Sequence, residues 1–480
     1  RMAPAGSSPS NGNITVTGGG LSSTQNIAVS GVITAIPSTP GSIIGSSSVC
    51  SGIAGSYSIS SVTGATFYTW DYFGTGTTNS NTTSVSLTAT GAGNLSVTAS
   101  NSCGTSSAQS LAITISTPTK YVATNGSNSN DGNSSNSAYL TLEHALSQVA
   151  GSGCYNISIA AGTYTDELLD LTSSHDDISI IGAGRELTIF DGDATEHFME
   201  IKSSATNITI SEMTIKDYSD NTSGGAIKVD CDGTVTFQDV HFDNNSTESY
   251  NDNGGAVYID GGETVTFDRC KFTNNNSYSS SYSDGGVIYS GGCNLNLINC
   301  LFYDNDAYGT NNGLVYLDGS GTNRIANCTF VENLEEPIYS YGGVTDITNC
   351  LFHNNNGNDI EVDGGTVNFT YNCYNSTIGT LNSTNGSFSV GGSVDFYDQP
   401  NDDFRIGYNS VCKDNGTSSG APVVDFAENI RSDGSNDIGC YEYVCSSPVA
   451  GTAATSTATV CNGNTGSLTV SGNSARSIKW

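Results

Sequence analysis

Short runs in which apolar and polar residues alternate dominate the chain. "GSYSIS" (55–60), "FYTWDY" (67–72), "SVSLTAT" (84–90), "NLSVTAS" (94–100) and "SLAITIS" (110–116) keep a period of two and are separated by turn residues. Period two puts one face of a strand inward and the other outward, and several such strands with short turns predict a β-sandwich over 38–118. One segment breaks the rule. "TLEHALSQVAG" (141–151) places Leu142, Ala145, Leu146 and Val149 on one helical face, with Thr141 as N-cap and Gly151 as stop. A single short amphipathic helix ahead of a long run of strands predicts a cap on an exposed sheet end.

The alternation then becomes a repeat. "TVTFQDVHFDNN" (234–245), "TVTFDRCKFTNN" (264–275), "NLNLINCLFYDN" (294–305), "TNRIANCTFVEN" (322–333) and "VTDITNCLFHNN" (344–355) share one phrase. "GGAIKV" (224–229), "GGAVYI" (254–259), "GGVIYS" (285–290) and "NGLVYL" (312–317) share another. Cys270, Cys300, Cys328, Cys350 and Cys373 fall 30, 28, 22 and 23 residues apart. Units of that length with two or three short strands predict the coils of a parallel β-helix, each burying its apolar edge on its neighbours. Equivalent residues then form ladders: Phe242, Phe272, Phe302, Phe330 and Phe352 in one, the cysteines (preceded by Val240) in another. Asn245, Asn275, Asn305, Asn333 and Asn355 mark one recurrent turn, where stacked amides can bond along the column and Asn tolerates αL. The paired glycines permit a tight corner.

The remaining segments read as partial modules. "VCNGNTGSLTVSGNSARSIKW" (460–480) repeats the opening of "VCSGIAGSYSISSVTGATFYTW" (49–70), and "GNITVT" (12–17) repeats "GNLSVT" (93–98). Residues 1–37 are therefore expected to be the back part of an upstream sandwich module and 446–480 the front of a following one. The β-helix is expected over 119–445. The fold class is all-β, and the chain reads as a window on a longer array.

"VTASNSCGTSSA" (97–108) resembles the PKD-like and Ig-like modules of giant surface proteins of the Bacteroidota. Cys50 and Cys103 are the only cysteines of the 38–118 module, with Trp70 between them, and a disulfide beside a buried Trp is expected, as in immunoglobulin-like domains. The GGA[IV] and FxxN phrases, with "YVATNGSNSNDG", "AAGTYTDE" and "ISIIGAGRELTIFDG" before them, resemble right-handed β-helix proteins of the polymorphic-outer-membrane and choice-of-anchor type. "DFRIGYNSVC…DIGCYEY" (403–443) is similar to that family's closing segment. Cys412 and Cys440 stand where the family usually has Ala, and the paired replacement suggests a local disulfide. The resemblance implies a secreted surface protein, exported by a type IX route.

Composition narrows the partners. Asp+Glu number 46 against 14 Lys+Arg, a net charge of −32, which argues against nucleic acid and anionic membranes. No apolar stretch is long enough to span a bilayer. No CxxC pair is present and the five His are scattered, so zinc is not expected. No cofactor is called for; structural Ca²⁺ held by Asp/Asn turns stays open. The sequence does not pair Cys154, Cys231, Cys293 or Cys445. The cysteine ladder reads as buried thiols, with disulfides between neighbouring coils left open.

"GAGREL" (182–187) lacks the third glycine of a dinucleotide loop, and "GTSSG" (416–420) lacks the strand–turn–helix of a nucleophile elbow. A polysaccharide lyase would need a Lys or Arg base beside carboxylates. Lys228, Arg269, Lys271 and Arg324 are the bases within the repeats, and Asp230 and Asp232 lie near Lys228 in sequence. None sits in a matching motif. Insertions in the early coils instead bring Tyr250, Asp252, Tyr278, Tyr282, Asp284 and Tyr308 to one side, a candidate face for a glycan or protein partner. The leading expectation is a non-catalytic structural and adhesive segment of a giant extracellular surface or filament protein. A β-helix polysaccharide lyase or hydrolase, and a passive glycan-binding module, are the alternatives. Self-association into a homo-oligomer or filament stays open.

Overall fold

The computed structural model describes residues 10–16, 25–31, 35–52, 54–78, 80, 82–151, 154–166, 168–194, 196–230, 232–249, 252–261, 264–277, 284–307, 313–375, 383–385, 388–389, 393–431, 435–444, 452–455 and 468–471. Ser10–Val16 pairs antiparallel with Gln25–Gly31, and Thr452–Thr455 with Leu468–Ser471. The chain divides into two compact units, residues 1–160 with 173–181, and 161–172 with 182–480.

The first unit contains a β-sandwich. One sheet has the order Ser48–Val49, Gln109–Ile115, Gly93–Asn101, Phe67–Phe73; the other has Ala54–Ser58, Ser84–Ala89, Gly76–Thr78. Alternation decides what goes inside: Tyr68 and Trp70 from one strand, Val85, Leu87 and Ala89 from another, meeting Tyr57, Leu95, Val97 and Ile113. The Trp70 indole Nε1 donates to Thr82 O at 2.9 Å, so the buried ring keeps its polar atom satisfied. The expected Cys50–Cys103 disulfide does not form. Cys103 is an exposed free thiol, and Cys50 is bonded to Cys154. Register explains this. Ser48–Val49 pairs with Thr114 and Ile115, the end of Gln109–Ile115 that lies beside Gly93. Cys103 lies beyond Asn101, at the opposite end of the same sheet, in the turn to Gly104–Thr105.

Thr119–Val122, Tyr155–Ile159 and Ile178–Ile181 follow as parallel strands of this unit. The helix Leu142–Val149 buries Leu142, Ala145, Leu146 and Val149. Thr141 caps it by accepting from His144 N at 3.2 Å, and Gly151 ends it in the left-handed region.

The second unit is a parallel β-helix. Thr234–Asp243 is followed, coil by coil, by Thr264–Asp268 with Lys271–Thr273, Asn294–Ile298 with Leu301–Tyr303, Thr322–Ala326 with Thr329–Val331, and Val344–Thr348 with Leu351–His353. A second parallel sheet runs Leu169–Leu171, Met199–Ile201, Ile227–Val229, Val257–Ile259, Ile288–Gly291, Gly313–Asp318, Glu336–Ser340, Ile360–Val362. A short third sheet carries Ser219–Asp220, Ser246–Thr247, Asn276–Ser277 and Asp306–Ala307.

Pairing is in register, so like residues stack. Phe242, Phe272, Phe302, Phe330 and Phe352 have successive ring centroids 5.0, 4.5, 4.6 and 5.1 Å apart, all fully buried. Cys270, Cys300, Cys328, Cys350 and Cys373 are buried free thiols. Burial, first, pushes the Cys270, Cys300 and Cys328 thiols well above their usual range. The asparagine side chains form a continuous chain: Asn245 Nδ2 donates to Asn275 Oδ1 (3.1 Å), Asn275 to Asn305 (3.1 Å), Asn305 to Asn333 (3.0 Å) and Asn333 to Asn355 (2.9 Å). Each Nδ2 also donates to a carbonyl of the preceding coil, as from Asn305 to Phe272 O at 2.9 Å. The left-handed residue is not the laddered asparagine but the one before it: Asn244, Asn274, Asp304, Glu332 and Asn354, with φ of 53–56°. Of the glycine pairs, Gly254 takes φ 69°, while a Cβ on Gly255 would collide with the carbonyl of Gly286 in the next coil.

Residues 403–443 fold back on the coils. Asn299 Nδ2 donates to Val424 O (2.9 Å), Asn327 Nδ2 to Asp437 O (3.2 Å), and Asn349 Nδ2 to Thr417 O (2.8 Å). The expected Cys412–Cys440 disulfide is absent. Both are buried free thiols in separate clusters, Cys412 with Leu351, Cys373, Ile406 and Ile438, and Cys440 with Leu301, Tyr303, Val331 and Phe404. The backbone bond Ile438 N to Cys412 O sets Ile438, rather than Cys440, beside Cys412.

Asn305→Ala removes an acceptor of Asn275 and a donor to Asn333 and Phe272, all of them buried. Orphaned buried groups cost about 1–3 kcal/mol each. Urea unfolding is expected to show a loss of about 3 kcal/mol or more, against less than about 1 kcal/mol for the outward Thr236→Ala.

Candidate functional site

The eight-stranded sheet carries a regular, in-register outward surface. Its strands bury the residues on either side of one outward position: Ile227 and Val229 flank Lys228, Val257 and Ile259 flank Tyr258. Because register is kept, these outward positions form a column: Asp170, Glu200, Lys228, Tyr258, Tyr289, Tyr316, Tyr339, Glu361. The four tyrosine rings are stacked with centroids 5.2, 5.7 and 5.1 Å apart and interplanar angles of 10, 9 and 7°. Two residues on lies a second column, containing Asp230, Asp260, Gly291, Asp318, Tyr341 and Asp363.

The columns are bonded to each other. The Tyr258 hydroxyl donates to Asp260 (3.3 Å), Tyr289 to Asp318 (3.0 Å) and Tyr339 to Asp363 (3.4 Å). Burial, with those carboxylates, raises the phenols: Tyr258 and Tyr339 to about 12, and Tyr289 and Tyr316 also upward. They remain protonated donors. Ring faces are taken up by stacking, and Tyr316 and Tyr339 are buried; the column therefore presents only the half-buried Tyr258 and Tyr289 beside carboxylate oxygens, with Tyr341, 52% exposed, adding a ring at the margin.

At the other end of the column Lys228 is held in a polar cluster. Its Nζ lies 2.6 Å from Asp220 Oδ2, 3.2 Å from His197 Nδ1 and 2.5 Å from Thr222 Oγ1. His197 Nδ1 is 2.7 Å from the same Asp220 oxygen. Burial opposes ionisation of Asp220, but His197 and Lys228 outweigh it and hold the carboxyl at about 2. Glu196, His197 and Asp220 could bring three ligand atoms together. A calcium ion takes oxygen ligands, and here one donor is an imidazole and Asp220 already carries the Lys228 ammonium, so this group does not fit the calcium left open by the sequence.

The other expected bases are also engaged. Arg269 binds Asp239 through two nitrogens (3.0 and 2.6 Å) and Asp268 (2.8 Å). Arg324 donates to Gly420 O in a cleft of about 270 Å³ that also includes Asp346, Asn368, Thr348 and Thr370. Lys271 lies 5.1 Å from the Tyr303 ring centroid. The remaining described Lys and Arg residues pair with carboxylates or, for Lys120, with Asp131 O and Asn133 Oδ1.

Of the residues expected on the insertion loops, Tyr250, Tyr278, Tyr282 and Tyr308 lie outside the described residues. Asp252 and Asp284 lie in irregular segments and are half-buried. Asp252 Oδ2 is buried with no hydrogen-bond partner among the described residues, and burial raises its pKa. Asp284 N donates to Asn253 Oδ1 at 2.8 Å, and burial, then Asp318, lifts its carboxyl to about 6. Asp230 and Asp232 do not pair with Lys228; Asp220 does. The tyrosine column is absent from the sequence-based candidates, although its signal is present. Tyr258, Tyr289 and Tyr316 occupy in "GGAVYI", "GGVIYS" and "NGLVYL" the place where Lys228 alternates outward in "GGAIKV".

Residues 36–113 match the family model of a PKD-like domain, and residues 198–378 match that of a right-handed beta helix region. No curated protein matches the chain. Among solved structures it is similar to the pectate lyase Pel9A, at 18% identity and TM-score 0.44 over 68% of this chain and 97% of that one. A rhamnogalacturonan lyase matches at 16% identity and TM-score 0.37 over 63% of this chain and 97% of that one. Pectin methylesterase PemA from Erwinia chrysanthemi matches at 11% and 0.28 over 57% and 90%. Among the described residues no helix is long and apolar enough to cross a membrane.

The two carboxyls give opposite pH signatures. Asp284, raised to about 6, contributes stability that is complete below the ordinary Asp value of about 4 and is lost as pH rises through 6. Asp220, lowered to about 2, contributes stability present above about 4 and lost as pH falls through 2. Asp284→Asn is therefore expected to melt higher than the parent at pH 8 and to lose that advantage at pH 4, while Asp220→Asn melts lower at pH 8. Thermal melts at both pH values check this.

Proposed function

We propose that this chain is a non-catalytic structural and adhesive segment of a large extracellular surface or filament protein, with the tyrosine–carboxylate face of the eight-stranded sheet as its contact surface. The carrying observation is the in-register column Tyr258, Tyr289, Tyr316, Tyr339 bonded to Asp260, Asp318 and Asp363. At its accessible part, Tyr258 and Tyr289, it offers phenol oxygens and the carboxylate oxygens they bond as acceptors, one coil apart at about 4.8 Å. Such a surface suits a neutral, hydroxyl-rich glycan and repels polyanions. The commitment of the described Lys and Arg side chains to carboxylates, carbonyls or rings supports the non-catalytic reading, because a general base must be able to give up its own proton.

A polysaccharide lyase or hydrolase is the second reading, and the His197–Asp220–Lys228 cluster is the observation in its favour. Lys228 Nζ there is held by Asp220 Oδ2 and Thr222 Oγ1, which leaves it engaged rather than free to reach a substrate proton.

Two assays separate the readings. Retention on immobilised neutral glycans is expected to fall at least tenfold, about 1.4 kcal/mol, in the double variant Tyr289→Ser, Asp318→Asn, with far-ultraviolet dichroism confirming the fold. Incubation with polygalacturonate, with and without calcium, is expected to release no unsaturated product. Product that disappears in Lys228→Met would replace the proposal with the lyase reading.

A further inference from the structure

Cys50 and Cys154 are joined across a sequence separation of 104, with Cα atoms 6.1 Å apart. Cys50 directly follows Ser48–Val49, an edge strand held to Gln109–Ile115 through two register pairs. Cys154 directly precedes Tyr155–Ile159. Between them in sequence lie seven sandwich strands from Ala54–Ser58 to Gln109–Ile115, the two-residue Gly104–Thr105 included, the strand Thr119–Val122 and the helix Leu142–Val149. The sandwich core, with Tyr57, Trp70, Leu87 and Val97, is built almost wholly from residues inside this covalent loop.

We propose that the Cys50–Cys154 bridge is a load bypass. When the chain is pulled from both ends, tension passes from residue 50 through the two sulfurs to residue 154, and residues 51–153 carry none of it. The proposal rests on the reading of this chain as a structural segment exposed to tension. Without the bridge, pulling would separate Ser48–Val49 from its partner and draw out the sandwich and helix as extended chain. With the bridge, that whole stretch contributes only the span of the disulfide. The PKD-like module is then suspended beside the load path instead of strung along it, and keeps its fold under forces that would unravel an unbridged sandwich. Bond formation balances as thiol–disulfide exchange: the two cysteine thiols each give up a proton and together two electrons, and an external disulfide is reduced to two thiols.

The test stretches the full chain between tags at its two ends, with and without reductant, and reads the contour length after complete unfolding. A separation of 104 residues at ~3.4 Å each is about 350 Å. The oxidised chain is expected to be shorter than the reduced chain by that amount. Cys50→Ser is expected to match the reduced length with no reductant present, and Cys103→Ser to behave as the parent. Equal lengths in both conditions overturn the proposal. A difference of about half the expected value, ~180 Å, also overturns it, because that is the length closed by a Cys50–Cys103 bond. If the variants do not fold, a non-reducing peptide map of the parent decides between the two pairings. Glycan retention is independent of this readout, so failure of adhesion and failure of the bypass are seen separately.

Discussion

Parallel, in-register backbone pairing from one coil to the next is the constraint on which the second unit depends. It sets each residue about 4.8 Å above its counterpart, so every position must tolerate its own kind as a neighbour. Phenylalanine rings do so by stacking. Asparagine does so because an amide carries both a donor and an acceptor, and the column from Asn245 to Asn355 uses both. Carboxylates do so at a cost, since like charges at that spacing repel; where Asp170 and Glu200 stack, Lys202 bridges them. Beyond Asp230 and Asp260 the outward acid column is interrupted, by Gly291 between Asp260 and Asp318 and by Tyr341 between Asp318 and Asp363. Tyrosine hydroxyls from the adjoining column supply the hydrogen bonds that no cation supplies there.

The same rule orders function. A side chain placed outward once is placed outward in every coil, which turns a single residue choice into a surface. The tyrosine column extends over four coils and ends against Lys228 on one side and Glu361 on the other. Arg185 and Arg269 converge on Asp239, and Arg431 is buried with Glu442. In a chain with a net charge of −32, such pairing uses scarce cations to offset buried acids and leaves the outer face acidic.

Residues that repeat in sequence are legible because repetition is itself the signal: Phe272, Cys300 and Asn305 announce their ladders by spacing alone. Residues whose role depends on where a turn leads are not. Cys50 reads as the partner of Cys103 because both lie in one module; only strand register reveals that they sit at opposite ends of a sheet and that Cys154 is the neighbour. Cys412 and Cys440 invite pairing in sequence, yet each fills a different apolar cluster. Asp220 is separated from Lys228 by a corner that no alternation pattern describes. Tyr289 stands openly in the repeated phrase, but the glycines beside it mark a corner more loudly than the tyrosine marks a face.

Whether the tyrosine–carboxylate face is the working surface is decided by oxidative footprinting of the native parent protein, free and attached to its natural surface. If it is, Tyr258, Tyr289 and Tyr341 lose reactivity on attachment, while the exposed Tyr397, just before the closing segment, and Tyr408, within it, keep theirs. Protection of Tyr397 and Tyr408 with the column still fully reactive would refute the assignment and move the working surface away from the eight-stranded sheet.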